Sequence, residues 1–453
     1  MSKMVYAAQA AGVAVALVLC VLIVPSQAVI PGVTGNSFNL TARAGYLSAP
    51  DGATIYAWGY GMDGGLMQYP GPTLILQQGA TVTVRLRNEL PPGAGNVSIL
   101  FPGHSVTASG GVAGLFTQEA PPDGVTTVTY TFTAAQPGTY TYYSGTKPDL
   151  QVEMGLVGAI IVRPAGFNPS APKAYGHEDS RYDHEYLFLL TEMDPEINNC
   201  SEIGAGVDTT TFFPVYWFIN GRSAPDTMFP AGAPWLPHQP YNCMPRMRPG
   251  EKLLMRMIGG GRDLHPFHYH GNNALIIARD GRLLESAAGV GADLAVSNFT
   301  IAVAPGETVD AIFEWTGANL GWDIYGHEQD IDNEPLGWSD GTAPKGPEDV
   351  DHNDDGVFDS VPLEANEYAP DHGKPFPVML PEQQEVAFGG QWSGSPFLGV
   401  LDALPPGEGG LNRFGGYFFM WHSHNEKEMT TNDVFPGGMM TNCIIEPPGT
   451  PIP

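Results

Sequence analysis

The sequence predicts an all-β protein made of two sandwich domains, the second interrupted by a long acidic insertion. Three observations predict it. Helical periodicity is nearly absent along the 453 residues. Short runs of β-branched and aromatic residues recur between Gly and Pro turns, the pattern of a sandwich or barrel. The 57 Gly and 42 Pro leave long helices little room.

The elements follow in chain order. Residues 1–28 read as a signal peptide: Lys3 precedes an apolar run from Ala11 to Val24, and Ser26-Gln27-Ala28 supplies the small-x-small cleavage pattern. Counted from Val5, the same run reaches the length of a retained anchor. The first sandwich is placed at residues 36–165. Its clearest strand is Thr81-Val82-Thr83-Val84-Arg85-Leu86-Arg87, with Val82, Val84 and Leu86 on one face. Runs at Val128 to Phe132, Thr139 to Tyr143 and Gly155 to Val162 complete it.

A second sandwich is placed at residues 180–447, opening on Glu185-Tyr186-Leu187-Phe188-Leu189-Leu190. The turn and strand at Gly79 to Leu86 have an echo at Gly250 to Met257, so repetition of one sandwich unit is the economical reading. Between Gly317 and Gly410 the strand pattern lapses. Asp323 to Asp359 holds twelve acidic residues and one Lys, an insertion with local order of its own.

With 48 acidic against 20 basic residues, the formal charge is −28. Such a charge repels phosphate backbones and anionic membrane surfaces, which excludes nucleic-acid binding and, after signal cleavage, a membrane partner. The expected location is secreted or periplasmic. Signal cleavage leaves Cys200, Cys243 and Cys443. An oxidising compartment predicts one disulfide, assigned to Cys200–Cys243 because both lie in loop-like sequence. Cys443 lies in an alternating segment and reads as a buried strand residue.

Two clusters carry the chemistry: His265-Pro266-Phe267-His268-Tyr269-His270 and Trp421-His422-Ser423-His424. Residues two apart on a strand point to the same side. His268 can therefore join His270, and His422 can join His424. If the two strands are neighbours, up to four imidazoles converge on a point that suits copper, zinc, iron or nickel. The plainer reading is that these histidines only hydrogen-bond within the fold. A second constellation, Asp351, Asn353, Asp355, Val357 and Asp359 with Gly356, has the ligand spacing of a calcium loop, although Pro362 stands at the twelfth position. Calcium there would order the insertion.

The histidine clusters also carry a resemblance. His265 to His270 followed by Gly271, with Ala274 to Gly281, resembles the last-domain copper motif of multicopper oxidases. Pro70-Gly71-Pro72-Thr73 and Gly138 to Ser144 resemble landmarks of their first domain, while Trp421-His422-Ser423-His424 with Gly437-Gly438-Met439 resembles their C-terminal motif. The resemblance implies two cupredoxin-like Greek-key β-sandwich domains. It also implies a type 1 copper that oxidises substrate and a trinuclear copper cluster that reduces dioxygen. By that alignment His265 descends from the type 1 site, and His268, His270, His422 and His424 from the trinuclear site. The departures are as specific as the matches. The first-domain His-x-His motifs fall at Leu100-Phe101-Pro102 and Tyr143-Ser144-Gly145, the type 1 cysteine at Ser423 and the next type 1 histidine at Glu428.

A hydroxyl does not replace a thiolate as a soft copper ligand, so no type 1 copper is expected. What remains is a mononuclear type 2-like copper, or zinc, on the surviving histidines. His104 is a candidate substitute ligand, and Glu428 reads either as an oxygen ligand or as a solvated carboxylate. Three functions stay open: an exported copper protein in redox chemistry or copper handling, a non-catalytic scaffold in an extracellular assembly, and an oxygen-reducing oxidase with ligands supplied from elsewhere. If the chain is an enzyme, it is a copper-dependent oxidoreductase. The resemblance further implies a homo-oligomer, a trimer; an extracellular or redox protein partner is a separate expectation.

Overall fold

The computed structural model describes residues 30–316 and 417–446, together with the strand Ser395–Pro396 and residue 452. The signal segment, most of the acidic insertion and the calcium-type loop at Asp351 to Asp359 lie outside the described residues. Among the described residues, no helix is long and apolar enough to cross a membrane.

The first sandwich pairs two sheets. One orders Val33–Thr34, Gly71–Gln77, Val157–Arg163 and Gly138–Tyr143; the other orders Thr54–Met62, Ser37–Ser48, Thr81–Asn88, Val128–Thr133 and Thr107–Gly110. The alternation read in Thr81–Asn88 is realised, with Val82, Val84 and Leu86 in the core. Val157–Arg163 does not alternate. Every residue of it is buried, because Ile160 and Val162 face the core of this sandwich while Val157, Ala159 and Ile161 face the second one. A strand covered on both faces reads as an unbroken apolar run.

The second sandwich begins at His184–Met193, which pairs with Tyr216–Ile219 on one side and Lys252–Gly259 on the other; Thr308–Glu314 and Ala274–Arg279 extend that sheet. The facing sheet orders Arg246–Met247, Met440–Ile445, Tyr417–Ser423, His265–Tyr269 and Thr300–Val303. Phe188, Leu190, Met255, Met257, Phe267, Phe419 and Trp421 fill the space between them. A third apolar cluster joins the domains, setting Leu47, Ile55, Tyr69 and Ile161 against Leu187, Leu189, Phe218 and Ile258.

The expected Cys200–Cys243 disulfide is absent, and all three described cysteines are free. The segment around Cys243 has no helix or strand, as its sequence suggests, but Cys243 is wholly buried in the second core, its thiol directed at the Leu187 carbonyl. Cys200 instead lies on the helix Pro195–Glu202, beside Glu196. Cys443 is buried in its strand.

Candidate metal centre

The strands His265–Tyr269 and Tyr417–Ser423 are antiparallel neighbours, with His268 directly opposite His422. Cross-strand partners share a face, and so do residues two apart. The register places His270 beside Met420 and His424 beside Pro266, through amide bonds of 3.2 and 2.7 Å. All four imidazoles consequently converge. Ring centroids lie 4.8 Å apart for His268–His270, 5.4 Å for His268–His422, 5.3 Å for His270–His422 and 4.9 Å for His268–His424. One ring nitrogen from each of His268, His270 and His422 falls within 4.8 Å of the others. His268 and His422 are buried, His270 is half-buried and His424 is exposed at the rim.

Hydrogen bonds fix which nitrogens face inward. His268 Nδ1 sits 2.8 Å from the Phe299 carbonyl, and His422 Nδ1 sits 2.7 Å from the Ser423 carbonyl. A carbonyl only accepts, so each Nδ1 carries the proton and each Nε2 presents a lone pair. Burial, reinforced by the neighbouring imidazoles, pulls His268 down to about 3. Burial likewise brings His422 down to about 4. Both imidazoles are neutral near neutral pH. His270 Nε2 and His422 Nε2 face each other at 3.3 Å. A tetrahedral ion about 2.0–2.1 Å from two nitrogens holds them about 3.3–3.4 Å apart. The residues present therefore fit a metal ion.

His265 does not join this group. Its Nδ1 donates to Glu428 at 2.9 Å and its Nε2 donates to Glu192 at 2.8 Å, with all three side chains buried. Burial alone would lower its pKa, but the two carboxylates outweigh it and raise the group to about 9. The same Glu428 oxygen accepts from Ser423 Oγ at 2.6 Å. Glu428 is thus a buried, fully engaged carboxylate, not a solvated one. The atoms at the three positions aligned with type 1 ligands meet, yet they bond to one another and offer no thiolate. They do not fit a type 1 copper.

The first-domain positions are equally altered. Phe101 is buried, its ring 5.0 Å from Phe132 and 5.6 Å from Tyr130, while Ser144 Oγ is 2.5 Å from Gln151. His104 is no substitute ligand here: it stacks between Phe132 and Tyr140, at 4.7 and 4.6 Å. Sequence reasoning missed Glu192. Its signal was a lone charge inside the otherwise uncharged run Leu187 to Met193.

Residues 58–166 match the multicopper oxidase family. Copper resistance protein A of Escherichia coli is 28% identical over 287 residues, an alignment covering 56% of this chain and 43% of that protein. The chain thus spans less than half the length of this relative. The blue copper oxidase of Nitrosomonas europaea superposes with a TM-score of 0.51 at 18% identity, over 90% of this chain and 85% of that one. The multicopper oxidase mgLAC also gives 0.51 at 18% identity, over 92% and 87%. These two share the two-sandwich architecture. Sequence match and fold point the same way: residues 58–166 carry a multicopper oxidase domain match and the chain shares the fold of multicopper oxidases, while Ser423 stands at the type 1 cysteine position and the first-domain positions carry no histidine motif.

Proposed function

We propose that this is an extracytoplasmic copper protein with one mononuclear, type 2-like site, held by His268, His270 and His422 with His424 at its open rim, and that it serves copper handling or single-electron chemistry. The observation that carries the reading is the facing pair of Nε2 atoms of His270 and His422 at 3.3 Å, in a cluster where the Nδ1 protons of His268 and His422 are committed to carbonyls. Neutral imidazoles suit copper and zinc alike. The multicopper oxidase match over residues 58–166 and the name of the copper resistance relative favour copper.

Bound there, copper would supply reversible one-electron chemistry and an exchangeable coordination position. The protein holds the two buried ligands rigid through Phe299, Thr300 and Ser423, while half-buried His270 and exposed His424 leave the centre open to solvent. A four-electron reduction of dioxygen is not supported, because Phe101 and Ser144 occupy ligand positions of the trinuclear cluster and Ser423 interrupts the thiolate route into it. The presequence read at residues 1–28 supports export.

Metal analysis of protein purified without added metal, and again after copper loading, tests this. About one copper per chain with a type 2 EPR signal is expected, with binding lost in His268→Ala and His422→Ala. No copper uptake by the wild type, or full uptake by both variants, sinks the reading.

A further inference from the structure

The pocket that matches the family's type 1 site is buried, charged and holds no usable ligand set, yet it abuts the metal centre through Ser423, which separates His422 from His424. Its carboxylate makes an unusual number of bonds to that short segment. Glu428 Oε2 accepts from Ser423 Oγ at 2.6 Å, Oε1 accepts from Asn425 Nδ2 at 2.9 Å, and the Asn425 amide donates to Ser423 Oγ at 3.1 Å. Both residues flanking His424 are therefore tied to one carboxylate.

That carboxylate is itself anchored. His265 bridges Glu428 to Glu192, and Glu192 Oε1 accepts from the backbone amides of Arg262 and Asp263. Glu192 lies on His184–Met193, the strand that packs against the first domain. A continuous line of charge-assisted bonds, about twice as strong as neutral ones, runs from Glu192 through His265 and Glu428 to the turn that carries His424.

We propose that Glu428 is a positioning residue: the former type 1 pocket has become a metal-excluding ion cluster that sets the His422–His424 arm of the metal centre. This rests on the reading of His268, His270 and His422 as a copper site. Glu428 touches no ion and acts through Ser423 and Asn425. Outer-shell partners of this kind typically change metal affinity about 10–100-fold when removed.

The test uses the full-length chain and cupric ion. Affinity is measured by chelator competition and geometry by EPR at one equivalent of copper, with near-UV circular dichroism as the control for folding. Glu428→Gln should weaken copper binding at least about tenfold and shift the copper hyperfine splitting. Ser423→Ala and Asn425→Ala, which each remove one tether and keep the Glu428–His265 pair, should shift both in the same direction by less. Should Glu428→Gln fail to fold, these two carry the test. Unchanged affinity and EPR signal in the folded variants, alongside loss of copper in His422→Ala, overturns the positioning role and leaves the copper site standing. Failure of the wild type to bind copper overturns the copper reading, and this proposal with it.

Discussion

At the scale of residues, two substitutions separate this centre from a blue copper site, and their geometry says how close it remains. Ser423 Oγ and His265 Nδ1 approach a single Glu428 oxygen at 2.6 and 2.9 Å. Ser423→Cys with Glu428→His would place a thiolate and a second imidazole where those atoms now meet, while Glu192 keeps the far nitrogen of His265 protonated. That is a His-Cys-His set with its outer partner in place. Copper loading of the double variant should produce the intense blue absorption of a thiolate-to-copper transition, and its absence would show that the pocket no longer closes around an ion. The wild-type cluster should also leave a mark on stability. His265 has a folded pKa of about 9 against 6.5 unfolded, a raised value. Its contribution is therefore complete below about pH 6.5 and lost as the pH rises through about 9. The denaturant midpoint should fall across that alkaline window in the wild type and fall less when Glu428 is Gln.

At the scale of elements, the convergence of the histidines was legible because a strand has a period of two: His268 with His270, and His422 with His424, had to share faces. What the sequence could not supply was the pairing of strands more than 150 residues apart, on which the His268–His422 register depends. The same blindness to long-range contact explains Glu428, which looks like a solvated surface acid until His265 arrives from another strand. It explains Cys243 as well, whose Asn and Pro neighbours suggest a loop although the side chain turns into the core. Strand ends are more readable. Gly271 follows His270 at φ +112, where a Cβ would meet Phe313 and Phe419 at 3.1 and 3.2 Å. Only glycine adopts such a backbone without strain. Gly271→Ala should lower stability by about 1–3 kcal/mol and weaken copper binding by displacing His270. Paired denaturant and copper titrations check both effects, and a loss of stability with intact affinity would detach this turn from the site.

At the scale of the whole molecule, the two sandwiches share polar groups as deeply buried as their apolar contacts. Arg163, at the end of a first-domain strand, pairs with Glu185 of the second domain, and Arg256 Nε donates to the same carboxylate at 2.9 Å. Arg256 also reaches Thr139 of the first domain at 3.0 Å, and Thr139 donates to Asp310 at 2.5 Å. All of these charged side chains are buried. Burial works to raise the pKa of Glu185, but Arg256 and Arg163 hold it below the ordinary carboxylate range. A depressed acid contributes stability above its unfolded value, about 4.3, and loses it as the pH falls through the folded one. Removing one partner of a buried cluster leaves the others uncompensated, at a cost of about 3–5 kcal/mol. Glu185→Gln leaves Arg163 without its carboxylate and Arg256 with Asp310 alone, 3.6 Å away, and belongs at the upper end of that range. Because the cluster spans the interface, the loss should fall on both domains together. Calorimetry of the wild type should show one cooperative transition, with Glu185→Gln moving it down intact. Two separated transitions in the wild type would mean that the sandwiches unfold independently and that the interface holds them only in register.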